Sequence, residues 1–197
     1  SVNEVPEDAV QLIETRAEVA EMLQQDDYIS LVVPRGSNAF VRYVQDNTRI
    51  PVLGHSEGIC HVYIDAEADA ERASKIALDA KLQYPAACNT METLLIHARK
   101  AAEIVPQLVK DFREKGVELV GCVRLCSLVP DLAKAGDAEW DTEYNDLKLS
   151  MKLVDSMDEA IDHINRHGSG HTDTIVTEDP QAAERFMNAI DSASVMW

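Results

Sequence analysis

The chain has 197 residues, with 18 lysine and arginine against 35 aspartate and glutamate side chains, a formal charge of −17. At 46% hydrophobic and 27% charged it reads as globular. No apolar run approaches the ~20 residues of a membrane helix, and no basic block stands ready to neutralise the phosphates of a nucleic acid. Four scattered cysteines are too few for a disulfide scaffold, which fits a reducing compartment.

In chain order, the spacing of Val10, Ile13, Ala17 and Ala20 predicts a helix over 7–24, opened by Pro6 and the acidic pair Glu7 and Asp8. Residues 28–33 (YISLVV) read as a buried strand broken by Pro34-Arg35-Gly36. Ser37 caps a helix to about residue 45 with Phe40, Val41 and Val44 inward, and 50–53 reads as a second strand. Helix, strand, helix, strand is the wiring of a parallel sheet. The polar stretch His55-Ser56-Glu57-Gly58 is the candidate domain boundary.

Beyond it, strands are expected at 59–64, 93–97, 118–123, 147–153, 174–177 and from Ala193. Helices are expected at 66–81, with an alanine stripe of Ala70, Ala73, Ala77 and Ala80, at 99–115, closed by Lys115-Gly116, at 156–166, opened by the capping box Ser156-x-x-Glu159, and from Asp179-Pro180. Residues 127–146 look like an acidic, irregular surface excursion. Residues 147–153 alternate apolar and polar, the pattern of a strand with one wet face, and an exposed edge of that kind recruits partners. The fold class is α/β. The chain opens on Ser1 and closes on the apolar run 193–197, which reads as a piece of a longer protein.

Cys88 is the leading chemical candidate. It lies between a helix and a strand, after two alanines, where small neighbours leave a sulfur open to a substrate. A lone cysteine is more often a small buried hydrophobe, and Cys60, inside the strand 59–64, fits that description better. Cys122 and Cys126 are spaced C-x3-C without a partner cluster, so no metal site is expected. The six histidines look dispersed; His167 and His171 around Gly168-Ser169-Gly170 read as a flexible loop rather than a metal or phosphate site. Pro34-Arg35-Gly36-Ser37, between a strand and a helix, suits contact with a phosphate or a nicotinamide.

The segment Tyr84-Pro85-Ala86-Ala87-Cys88-Asn89-Thr90-Met91-Glu92-Thr93-Leu94-Leu95-Ile96-His97 resembles the active-site segment of the γ-glutamyl phosphate reductase (glutamate-5-semialdehyde dehydrogenase) family. Its version YPAACN…ETLLIH looks most like the reductase half of the Δ1-pyrroline-5-carboxylate synthases. The run 50–61, Pro34-Arg35-Gly36-Ser37, Ala160-Ile161-Asp162-His163-Ile164 and the stretch 167–179 agree in order, and only about 122–146 is hard to place.

The resemblance implies the aldehyde dehydrogenase superfamily fold. Residues 1–57 would be the C-terminal part of a Rossmann-like NADP-binding domain. Residues 58–197 would be a three-layer α/β catalytic domain with a parallel-rich sheet, truncated at its C-terminal end. It implies reduction of γ-glutamyl phosphate with NADPH in proline biosynthesis, a Cys88 nucleophile, released phosphate, and cofactor contacts from Arg35, Gly36 and Ser37. It implies a homo-oligomeric whole protein, cytoplasmic or, in an animal, mitochondrial, and leaves a fused glutamate kinase domain open. Hydrolytic aldehyde dehydrogenases carry a general-base Glu in an E-L-G-G stretch. The equivalent here, Val52-Leu53-Gly54-His55-Ser56-Glu57-Gly58, has no Glu before the glycine, which favours release to phosphate over hydrolysis. A hydrolytic NAD-dependent dehydrogenase and a non-catalytic assembly module of the same fold are the alternatives.

Overall fold

The computed structural model describes Pro6, residues 8–54 and residues 57–197. The chain divides into two compact units, Ser1–Ser56 and Glu57–Trp197.

The first unit holds two helices, α1 (Arg16–Met22) and α2 (Asn38–Asp46). The expected helix over 7–24 is shorter than its apolar spacing suggested. Thr15 and Glu18 form a capping box that starts α1 at Arg16, while Val10 and Leu12 are exposed. Among the described residues the two expected strands reduce to one parallel bridge between Val32 and Val52. Ser37 caps α2 by accepting the Phe40 N–H at 3.3 Å. Val41 and Val44 are buried as expected, but Phe40 stays 38% exposed. Of the expected boundary stretch, His55 and Ser56 lie outside the described residues.

The second unit is a seven-stranded sheet. Its strands are β1 (Cys60–Ile64), β2 (Met91–His97), β3 (Glu118–Gly121), β4 (Ala133–Lys134), β5 (Lys148–Val154), β6 (Thr172–Val176) and β7 (Ser194–Met196). Every pairing is parallel, in the order β4-β3-β5-β2-β1-β6-β7. The crossovers carry α3 (Ala70–Leu82), α4 (Ala101–Glu114), α5 (Val123–Leu128), α6 (Asp137–Trp140), α7 (Met157–His167) and α8 (Pro180–Ala189). Alternate strand residues feed two cores. Val62, Ile64, Leu94, Ile96, Met151 and Leu153 pack with α3 and α4, whereas Tyr63, Leu95, Val154 and Ile175 pack with α7 and α8. Burial on both faces explains the nearly continuous apolar strands.

Local chemistry sets the helix ends. Asp69 accepts from the Arg72 N–H at 2.8 Å and so delays α3 to Ala70; Gly116, at φ +79°, closes α4. Ser156 accepts from Glu159 N–H, and the Glu159 carboxylate takes the Asp155 N–H instead of closing a full box.

Two expectations fail here. β5 is no edge, since it lies between β3 and β2, and its polar face is partly covered: Ser150 is buried, and Lys152, half-buried, reaches the ring of His163 at 3.1 Å. The stretch 127–146 is not an irregular excursion either. It holds the end of α5, β4 and α6, and then returns to the sheet, where Tyr144 shares a 2.7 Å hydrogen bond with Ser150. Among the described residues no helix is long and apolar enough to cross a membrane.

Candidate active site

Because all strands run the same way, the segments entering β1, β2, β5 and β6 meet at one edge of the sheet, its amino-terminal edge. Cys88 stands there, in the loop between α3 and β2. Tyr84 carbonyl oxygen accepts the Ala87 N–H at 3.0 Å and the Thr90 hydroxyl at 2.6 Å, and Ala87 carbonyl oxygen accepts the Thr90 N–H at 2.9 Å. These bonds fold the loop into consecutive turns with Cys88 exposed. Among the described residues no acceptor takes the Cys88 amide N–H.

The base of this loop is fixed from inside. Lys81, at the end of α3, and Glu92, early in β2, form a fully buried ion pair at 2.6 Å. Glu92 also accepts the Asn145 N–H at 3.2 Å. Burial pushes the Lys81 ammonium down and the Glu92 carboxyl up, each opposed by the other's charge.

Beneath the loop, the Cys60 thiol donates to the Cys88 carbonyl oxygen at 3.4 Å. Gly58 N–H donates to Glu143 Oε1 at 2.9 Å, and Ile59 N–H donates to the Ser169 hydroxyl oxygen at 2.9 Å. His171 Nδ1 lies 3.9 Å from the Cys60 sulfur and 2.8 Å from the Thr172 hydroxyl. The loop at 168–171 therefore ties the start of β6 to the start of β1. Burial first, and then the Asp173 carboxylate, push the Cys60 thiol up to about 12. A cavity of about 250 Å³ opens beside this cluster, lined by Cys60, Tyr84, Asn89, Thr90 and Thr172 among others.

Three of the histidines expected to be dispersed meet: His61, His163 and His167. His61 on β1 and His163 on α7 meet edge-on with ring centres 5.6 Å apart, and His163 and His167 lie 4.5 Å apart. His61 Nδ1 is 3.0 Å from Asp173 Oδ1, and Ser192 donates to Asp173 Oδ2 at 2.5 Å. Burial first, and then the nearness of the His61 ring and of the Lys152 ammonium, drive His163 down to about 2. The i, i+4 spacing of His163 and His167 was a readable sign of this cluster, whereas the approach of His61 from the sheet had none.

Arg35, Gly36 and Ser37 lie together in the first unit, and Cys88 lies in the second. The Arg35 side chain is exposed, and the bare Gly36, at φ +153°, leaves the backbone ahead of α2 approachable. A cation and helix-start amides form a donor set that fits an anionic or carboxamide group of a dinucleotide.

The gamma-glutamyl phosphate reductase of Trichormus variabilis is 54% identical over 195 residues, covering 99% of this chain and 45% of that protein. The chain is homologous to gamma-glutamyl phosphate reductase. It spans less than half the length of the curated relatives it matches; the reductase of Haloquadratum walsbyi, 51% identical, shares 98% of this chain and 44% of its own. The crystal structure of the Thermotoga maritima gamma-glutamyl phosphate reductase superposes with a TM-score of 0.89 at 40% identity, over 92% of this chain and 44% of that one. The NADP-dependent glyceraldehyde-3-phosphate dehydrogenase of Bacillus halodurans, solved with NADP, shares the fold at 14% identity, with a TM-score of 0.74 over 94% of this chain and 48% of its own. This is the aldehyde dehydrogenase fold. No family model matches the chain.

Proposed function

We propose that this chain is the cysteine-bearing part of a γ-glutamyl phosphate reductase, which reduces γ-glutamyl phosphate to glutamate-5-semialdehyde in proline biosynthesis. The observation that carries the reading is the Cys88 loop. It presents an exposed thiol after two alanines, above a buried ion pair, in a chain 54% identical to reductases of that name.

The Cys88 thiolate attacks the acyl carbon, phosphate leaves, and a thioacyl group remains on the sulfur. The Cys88 amide N–H, free of internal acceptors among the described residues, donates to the oxyanion that forms on attack. Arg35, Gly36 and Ser37, on a unit read as the tail of the cofactor domain, would hold NADPH, which supplies the hydride that brings the thioacyl carbon to the aldehyde level. Collapse of the resulting thiohemiacetal returns the thiolate. Glu57, beside Gly58, replaces no general base in this scheme, because phosphate rather than water exchanges with the thioacyl group.

The test is NADP⁺ reduction by the full-length protein with pyrroline-5-carboxylate, with and without inorganic phosphate. Activity that requires phosphate and vanishes in Cys88→Ala is expected. Phosphate-independent activity would replace this reading with a hydrolytic dehydrogenase.

A further inference from the structure

We infer that Cys60 is a positioning residue for Cys88: its thiol, together with the bare Cα of Gly58, holds the Cys88 carbonyl and so fixes the peptide from which the nucleophile projects. The inference rests on the reading of Cys88 as the nucleophile and adds a second cysteine with the opposite task.

Two residues of the β1 entry converge on one carbonyl group. A Cβ at Gly58 would lie 2.1 Å from the Cys88 oxygen and 2.9 Å from its carbon, so only glycine lets the entry to β1 run this close beneath the loop. The Gly58 amide is itself anchored by Glu143 at 2.9 Å. The Cys60 sulfur then donates to the Cys88 oxygen at 3.4 Å. Cys60 also stands opposite Met91 in the β1–β2 register, so the same residue engages the loop at Cys88 and again where the loop becomes strand.

A peptide plane is rigid. Turning the Cys88 carbonyl toward β1 turns the Asn89 N–H away from it, and fixes one of the two peptide planes that meet at the Cys88 Cα. The donor must keep its proton for this to work, since a thiolate at Cys60 would repel the carbonyl oxygen. Burial supplies that condition, holding the Cys60 thiol at about 12. Of two sulfurs that address one residue, the exposed one reacts and the buried one, 2% exposed, orients.

The experiment compares Cys60→Ala and Cys60→Ser in the full-length protein, with two readouts. One is the rate of alkylation of Cys88 by iodoacetamide at fixed pH, followed by peptide mass; the other is kcat and KM for phosphate-dependent NADP⁺ reduction. Loss of the donor in Cys60→Ala is expected to lower kcat about threefold to tenfold, the range of one hydrogen bond, with the KM for NADP⁺ little changed and a comparable change in the alkylation rate. Cys60→Ser, which keeps a donor, is expected to restore most of both. An alanine variant that matches wild type in both readouts, or a serine variant as impaired as alanine, would overturn the inference. So would a Cys60–Cys88 disulfide formed on peroxide treatment, which would make Cys60 a redox partner. Alkylation needs no substrate. A wild type without reductase activity whose Cys88 still reacts in a Cys60-dependent way would therefore sink the proposed reaction and leave the positioning intact.

Discussion

Residues 28–33 and residues 59–64 are equally apolar, yet only the second stretch becomes a strand of a sheet. β1 has β2 on one side and β6 on the other, and all five of its residues are buried. The run 28–33 finds one bridge, through Val32, and Tyr28, Leu31 and Val33 remain exposed. The core of the first unit consists of Leu23, Val32, Val44 and Ile50 with a few half-buried neighbours, whereas the second unit has a filled core on each face of its sheet. Apolar character makes a strand available; lateral partners make it form.

The largest effect that would sharpen this contrast is expected at Lys81. Lys81→Met strands the buried Glu92 carboxylate and should destabilise the second unit by about 3–5 kcal/mol. A paired Lys81→Met/Glu92→Leu change should recover most of that loss in chemical denaturation, and failure to recover would mean that the pair is not what fixes the base of the loop. Next comes Phe112→Ala, at a fully buried position on α4, with a loss of about 3–5 kcal/mol. Tyr28→Ser, at 85% exposure in the first unit, should stay within about 0.5 kcal/mol. Equal effects at the two positions would break the comparison.

An effect smaller than those at Lys81 and Phe112 is expected from pH. His163 is held at about 2 in the folded chain, while the unfolded chain takes up its proton near the usual 6.5. Its folded value is depressed, so stability is lost as pH falls below 6.5, by up to about 1.4 kcal/mol per unit, or about 2 kcal/mol by pH 5. His163→Phe should flatten that part of the stability profile measured by urea denaturation. An unchanged slope would place the acid sensitivity elsewhere.

Much of the second unit was legible because its signals are local. Asp179-Pro180 starts α8, Ser156 starts α7, and Gly116 ends α4, each within a residue or two of its expected place. Cys88 was singled out by its motif and not by a rule of fold, and its role remains the proposal made above. Ligands of open parallel sheets usually sit at the carboxyl ends of strands, and this loop sits at the amino end of β2. What escaped were meetings across long stretches of chain. Glu143 reaches Gly58 over 85 residues and Asp173 reaches His61 over 112, and neither leaves a periodic trace. Glu143 and Tyr144 were hidden in a stretch read as acidic surface, and Cys60 in a strand where a small buried hydrophobe was expected. In the first unit the error ran the other way, since a clear apolar spacing over 7–24 was overridden by the Thr15–Glu18 cap.

The most direct test of the central claim is to trap the thioacyl group. The full-length protein is incubated with pyrroline-5-carboxylate and NADP⁺ in the absence of phosphate, quenched in acid, and digested for peptide mass. The account predicts a glutamyl adduct on the peptide that carries Cys88, discharged when phosphate is added before the quench. An adduct on Cys60, Cys122 or Cys126, or turnover with no adduct on Cys88, would contradict it.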